Sequence, residues 1–111
     1  MTESRYVVIE SRDPFDSADT AFVSDTAASL RKRGRAVTVY FVQNGVLATR
    51  AGARGSHVPS LTKAGVTVLA DEFSPRERGI DRGELSAGVR EASIGALVDL
   101  VVQPDTKTLW H

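Results

Sequence analysis

Two patterns of hydrophobic positions alternate along this chain. Short apolar runs rich in β-branched and aromatic residues suit strands that are buried on both faces of a sheet. Such runs at residues 6–9, 37–42 and 66–70 predict three strands, and Thr106–Trp110 predicts a fourth. Apolar residues at helical spacing lie between them, so the order of elements is typical of one α/β domain covering residues 1–111.

The first predicted helix has the clearest boundaries. Asp16 or Ser17 is expected to cap its start, and Gly34 is placed to end it. Four apolar residues recur on one face: Phe22, Val23, Ala27 and Leu30. A strand, this helix and the next strand would form a right-handed βαβ unit.

The second half of the chain predicts shorter elements. Helical turns are expected at residues 46–51 and 59–64, and a charged loop at residues 71–82. A last long helix should bury one apolar face and end before Pro104. That face comprises Ile94, Leu97, Val98 and Val101.

The turn Gln43-Asn44-Gly45 directly follows the second predicted strand. Asn and Gly tolerate left-handed backbone angles, so the chain can reverse there and start a helix with free N–H groups. Ligands of open α/β sheets bind at this carboxyl edge. A plain strand-to-helix turn is the favoured interpretation, and contact with a ligand or partner is the alternative.

A second candidate is the basic loop that carries Arg50, Arg54 and His57 beside Gly52 and Gly55. A loop of this composition could surround a phosphate or a carboxylate. No Lys-Ser/Thr pair follows the glycines, so a solvated loop is favoured over a small-anion site.

A third candidate is the cluster of charges after the third strand, comprising Asp71, Glu72, Arg76, Glu77 and Arg78. A carboxylate there could act as an acid or base if burial shifted its pKa. Alternating charges more often form an exposed network or a subunit interface, and the interface is favoured.

The amino-acid composition excludes several kinds of site. The chain has no cysteine, which excludes disulfides, thiolate metal sites and thiol nucleophiles. His57 and His111 lack the spacing of a metal site or a triad, so we expect no metal and no cofactor. Trp110 should anchor either the core or an interface.

Charge and hydropathy argue against two classes of partner. Fourteen basic and fourteen acidic residues cancel, so neither nucleic acid nor an anionic membrane is expected to bind. No apolar run approaches the roughly 20 residues that span a bilayer, and the polar start does not resemble a signal peptide. A cytoplasmic location is the default expectation.

Several short motifs together resemble the DsrE/DsrF/DsrH family, which includes the subunits of the Tus sulfur-relay complex. The first strand and helix resemble DsrE-type members. Four further segments are more similar to the DsrH/TusB branch: VQNGV at 42–46, VTVLA at 66–70, ERGI at 77–80 and LVDLVVQPDTKTLW at 97–110. The evidence is the order and spacing of these motifs over nearly the whole chain.

The resemblance implies a flavodoxin-like three-layer sandwich with a mainly parallel sheet of four to five strands. It also implies dimers, trimers or hexamers, either of one chain or with related DsrE-like subunits. Active members carry a persulfide on a cysteine just past the third strand. The comparable residues here are Leu69-Ala70-Asp71-Glu72-Phe73, and none of them can form a persulfide.

Three hypotheses follow. The first is a non-catalytic DsrE/DsrH-like subunit that contributes to sulfur transfer by assembly. The second is a homo-oligomer that holds a small anion with Asn44, Gly45, Arg50 and Arg78. The third and weakest is an enzyme with Asp71 or Glu72 as general base, since no nucleophile or cofactor motif supports it.

Overall fold

A computed structural model describes residues 4–111, and its centre is a five-stranded, entirely parallel sheet. The spatial order is β4-β3-β2-β1-β5, so β4 and β5 are the two edges. The strands are β1 (Arg5–Glu10), β2 (Ala36–Phe41), β3 (Thr67–Asp71), β4 (Val89–Ala92) and β5 (Thr106–Trp110). The predicted flavodoxin-like α/β fold is confirmed.

Helices cover both faces of this sheet, as parallel strands require. The α-helices are α1 (Asp19–Lys32), α2 (Val58–Ala64), α3 (Ser74–Glu77) and α4 (Ile94–Val101). Two 3-10 helices span Gln43–Thr49 and Arg82–Glu84. No helix in the described part of the chain is long and apolar enough to cross a membrane.

The two faces are covered very unequally. On one face, Val8 of β1 packs in a large core with Ala27 of α1 and Leu61 of α2. On the other face, a smaller cluster contains Ile9, and the helix that packs on it is α4 through Leu97. A helix of eight residues therefore covers one side of a five-stranded sheet.

Three sequence-based expectations about element boundaries are wrong. The fourth strand in chain order is Val89–Ala92, which was not predicted, and it leaves α4 as two turns rather than a long helix. The charged segment 71–82 is not a plain loop: Asp71 ends β3, and Ser74–Glu77 is helical. The sequence of β4 has only a weak apolar pattern, and its hydrogen-bonded pairing with β3 stabilises it as a strand.

The start of α1 also differs from the prediction. The residue before the helix is Ala18, and no side chain caps that end. Asp16 and Ser17 instead belong to a preceding turn, in which both backbone N–H groups donate to the Asp13 carbonyl. The chain completes this turn before α1 begins.

Candidate functional site

The Gln43-Asn44-Gly45 turn has the predicted position at the carboxyl end of β2 but a different backbone. Gln43 has a positive φ of 51°, whereas Asn44 and Gly45 do not need left-handed angles. Gly45 is required for another reason. A Cβ there would lie 3.0 Å from the carbonyl carbon of Glu10 and closer still to its oxygen, so this position admits only glycine without movement.

The same turn is bonded to the segment after β3. The Gln43 N–H donates to the Ser74 hydroxyl oxygen at 2.9 Å, and that hydroxyl donates to the Asp71 carboxylate. Asp71 also accepts from the backbone N–H groups of Phe73 and Ser74. Its carboxylate is thus buried and caps the start of α3.

Arg78 completes the link between the two segments. Its Nε donates to the Asn44 side-chain oxygen at 3.1 Å, and its Nη1 donates to the Ser74 carbonyl. The structure therefore brings together four predicted site residues, namely Gln43, Asn44, Asp71 and Arg78. Their polar atoms largely bind one another, so few of them are left to bind a ligand.

Arg50, Arg54 and His57 do not form one group. Arg50 and Arg54 line a shallow hollow with Gly52 and Glu84, whose carboxylate opposes an anion there. His57 lines a different, narrow hollow together with Glu10. The residues of the predicted basic loop are thus divided between two hollows.

Glu72 lies beside the buried phenol of Tyr40. Burial raises the pKa of Tyr40 to about 12, and the negative charges of Asp71 and Glu72 contribute further. The Tyr40 hydroxyl donates to the carbonyl of Ala92 at 2.9 Å. Because the phenol stays neutral, it can donate this hydrogen bond, which links β2 to the end of β4.

Glu91 of β4 joins two arginines of the charged segment. Its Oε1 accepts from Arg76 at 2.9 Å and from Arg82 at 2.6 Å. Its Oε2 is buried without a hydrogen-bond partner in the described structure. Arg76 therefore has an internal structural partner, and so does Arg82.

The contact between Glu10 and His111 was not predicted from the sequence. Glu10 ends β1 with its side chain 4% exposed, and His111 Nδ1 lies 2.8 Å from its Oε2. The backbone also joins the two segments, since the His111 N–H donates to the Ile9 carbonyl. The two residues are 101 positions apart and meet because β5 pairs with β1. Only that long-range pairing could have revealed them.

A groove adjoins this pair on the α1 side of the sheet. Its volume is about 310 Å³, and its lining is mainly apolar. Residues 19, 22, 23 and 26 of α1 form one wall, and the end of β5 forms the other. Such grooves beside a few polar groups are the usual form of small-molecule sites.

Acid–base or metal chemistry has few candidates here. No group of three or more His, Asp or Glu residues within 4–111 is arranged to hold a metal ion. The chain contains no cysteine, so no persulfide can form on it. Asp71, proposed as a general base, already accepts three hydrogen bonds from the protein.

These features define a single-domain α/β protein of flavodoxin-like arrangement, with a cysteine-free carboxyl edge. No family model matches the sequence, and no curated protein matches it. Solved structures do match the fold.

The ychN protein from E. coli is 19% identical, with a TM-score of 0.87 over 97% of this chain and 99% of that one. MTH1491 from Methanobacterium thermoautotrophicum, a protein of unknown function, is 20% identical, with a TM-score of 0.80 over 99% of this chain and all of the other. BT1422 from Bacteroides thetaiotaomicron, also of unknown function, is 15% identical, with a TM-score of 0.70 over 96% and 94%. At these identities the similarity shows the fold alone.

Proposed function

We propose that this chain is a non-catalytic assembly subunit of the DsrE/DsrH type, which acts in sulfur transfer through oligomer formation. The observation that carries the proposal is the outer face of α4. Ile94, Val98 and Val102 follow one another at four-residue spacing, and all three are about half or more exposed. Together they form the α4 stripe.

The composition of α4 supports an external partner for this stripe. Its sequence, IGALVDLV, has one charged residue, Asp99, and no other polar side chain. A helix that is apolar all round is normally buried on all sides. Leu97 packs on the sheet, whereas the α4 stripe lies roughly a quarter turn away around the helix and is left half exposed by the described chain. A second surface from outside the described chain could cover it.

The energetics favour burial of the stripe. Fully burying a Val or Ile side chain contributes about 1.5–3 kcal/mol, so three half-exposed chains could add about 3 kcal/mol per subunit. An interface of typical size buries about 800 Å² per partner. In a symmetric dimer the same stripe would contribute from both subunits.

The link to sulfur transfer rests on the motif resemblance, and the matching fold is compatible with it. A subunit without cysteine contributes by completing an oligomer around a relative that carries the thiol. The alternative interface is the charged segment after β3. Most of its polar groups have internal partners, which leaves Phe73 as its main exposed apolar side chain.

Sedimentation velocity on purified protein tests the assembly. Wild-type protein should sediment as an oligomer, and Val98→Asp should dissociate it because the substitution buries a charge at the interface. Phe73→Ser is the control, since it removes an apolar side chain that is even more exposed than Val98 and lies outside α4. A monomeric wild type, or dissociation by Phe73→Ser alone, would contradict an interface on α4.

We propose anion binding as a second candidate function, because the two guanidinium charges of Arg50 and Arg54 outnumber the single carboxylate of Glu84 in their hollow. Calorimetric titration with inorganic phosphate should give weak binding that is lost in Arg54→Ala. Arg33→Ala serves as the control, because Arg33 is an exposed arginine directly after α1 that does not line the hollow. Equal heats for all three proteins would refute this site.

A further inference from the structure

The position of the Glu10–His111 pair is set by the topology. From β1 the chain crosses to β2 through α1 on one face, whereas β5 is reached from β4 through α4 on the other face. Glu10 ends β1 and His111 follows β5, and the backbone N–H groups of His111 and Ser11 continue the pairing of the two strands. The pair therefore lies at the carboxyl edge of the sheet, where ligands of open α/β sheets bind.

The pair is built as a fixed polar group. The Glu10 carboxylate is buried and accepts from the Arg12 N–H as well as facing His111 Nδ1. A carboxylate at Nδ1 favours the proton on that nitrogen, which leaves Nε2 as the acceptor of the neutral ring. The His111 side chain has no other hydrogen-bond partner among residues 4–111.

The groove beside His111 has an apolar body and an acidic character. Val8, Phe22, Val23 and Leu109 supply most of its apolar lining. Asp19 is its only carboxylate among the described lining residues, and neither lysine nor arginine contributes to that lining. A ligand with an apolar ring and a hydrogen-bond-donating, positively charged head would complement both features.

We propose that the Glu10–His111 pair and the adjoining α1–β5 groove form a binding site for small aromatic amines. The ring lies against Phe22 and Leu109. The ammonium group is held between the Asp19 carboxylate and the imidazole of His111, which Glu10 keeps in the accepting tautomer. The site is independent of the α4 stripe, because α1 and α4 lie on opposite faces of the sheet.

Isothermal titration calorimetry of the full chain with phenethylamine measures this binding directly. The heats should be saturable. For a ligand of this size we expect a Kd on the order of 1 mM. The probe 3-phenylpropionate has the same ring with the opposite charge and should bind at least about tenfold more weakly.

Two variants test the named contacts. His111→Ala should weaken phenethylamine binding about tenfold, and Phe22→Ser, at a residue 74% exposed, should weaken it without affecting the fold. His57→Ala removes the other histidine and should leave the Kd unchanged. Circular dichroism confirms that each variant is folded.

Three results would overturn the proposal. The first is the absence of saturable heats on titration with phenethylamine. The second is equal affinity for the amine and the carboxylate, and the third is unchanged affinity in folded Phe22→Ser. None of these results depends on the oligomeric state, so they are separate from the test of the α4 stripe.

Discussion

Gly45→Ala is a small substitution for which the structure makes a large prediction. A Cβ at this position would meet the backbone carbonyl of Glu10, with the carbonyl carbon at 3.0 Å. That carbonyl oxygen already accepts from the Val42 N–H at 3.0 Å, so it is held in place. The obstacle is a strand backbone rather than a flexible side chain, and relief requires the 3-10 helix to move.

Two opposing effects set the expected loss in the free energy of unfolding of Gly45→Ala. Overpacking of a rigid site costs about 1–3 kcal/mol, and a backbone obstacle favours the upper half of that range. Alanine recovers up to about 1 kcal/mol because it loses less conformational entropy than glycine. The net loss should be about 2 kcal/mol, which corresponds to a fall in Tm of about 8 °C for a chain of this length.

Urea denaturation followed by circular dichroism measures this loss. Gly83→Ala is the matched control, because a Cβ there meets nothing within 4 Å and the backbone angle is ordinary. The control should change the free energy of unfolding by less than about 0.5 kcal/mol. Equal stability of Gly45→Ala and Gly83→Ala would refute the close approach to Glu10.

Three further predictions concern buried polar groups. Burial raises the pKa of Tyr40 to about 12, so its contribution to stability is present below pH 10 and lost as pH rises towards 12; Tyr40→Phe should reduce that pH dependence in alkaline urea titrations, and an unchanged pH dependence would contradict the assignment. Asp71→Asn should cost about 1–3 kcal/mol in urea denaturation at neutral pH, because an amide cannot accept all the hydrogen bonds of the carboxylate; an unchanged midpoint would contradict the cap. Arg76→Ala should cost about 1 kcal/mol and Arg82→Ala less, because the Arg82 side chain is 79% exposed, and thermal melts showing the reverse order would count against this assignment.

The sequence predicted the parts of the fold that rest on local pattern. The runs of β1, β2 and β3 are continuous and apolar, and α1 has a regular apolar face, so their order was evident. The strand Val89–Ala92 was missed because Arg90 and Glu91 interrupt its pattern. Its place is set by pairing with β3 and by contacts of Glu91 to two arginines.

The candidate site was predictable only in part. The Gln43 turn and the charged segment were each recognised, but their connection through Ser74 depends on tertiary packing. The Glu10–His111 pair was missed because it joins the two ends of the chain across neighbouring strands. Residue spacing alone does not report such long-range contacts.

Native mass spectrometry of the protein purified from its own host tests the proposed assembly without a choice of partner. We expect an oligomer, either of this chain or with a cysteine-bearing relative, that Val98→Asp dissociates. A monomer without any co-purifying subunit would contradict the proposal that this chain acts by assembly.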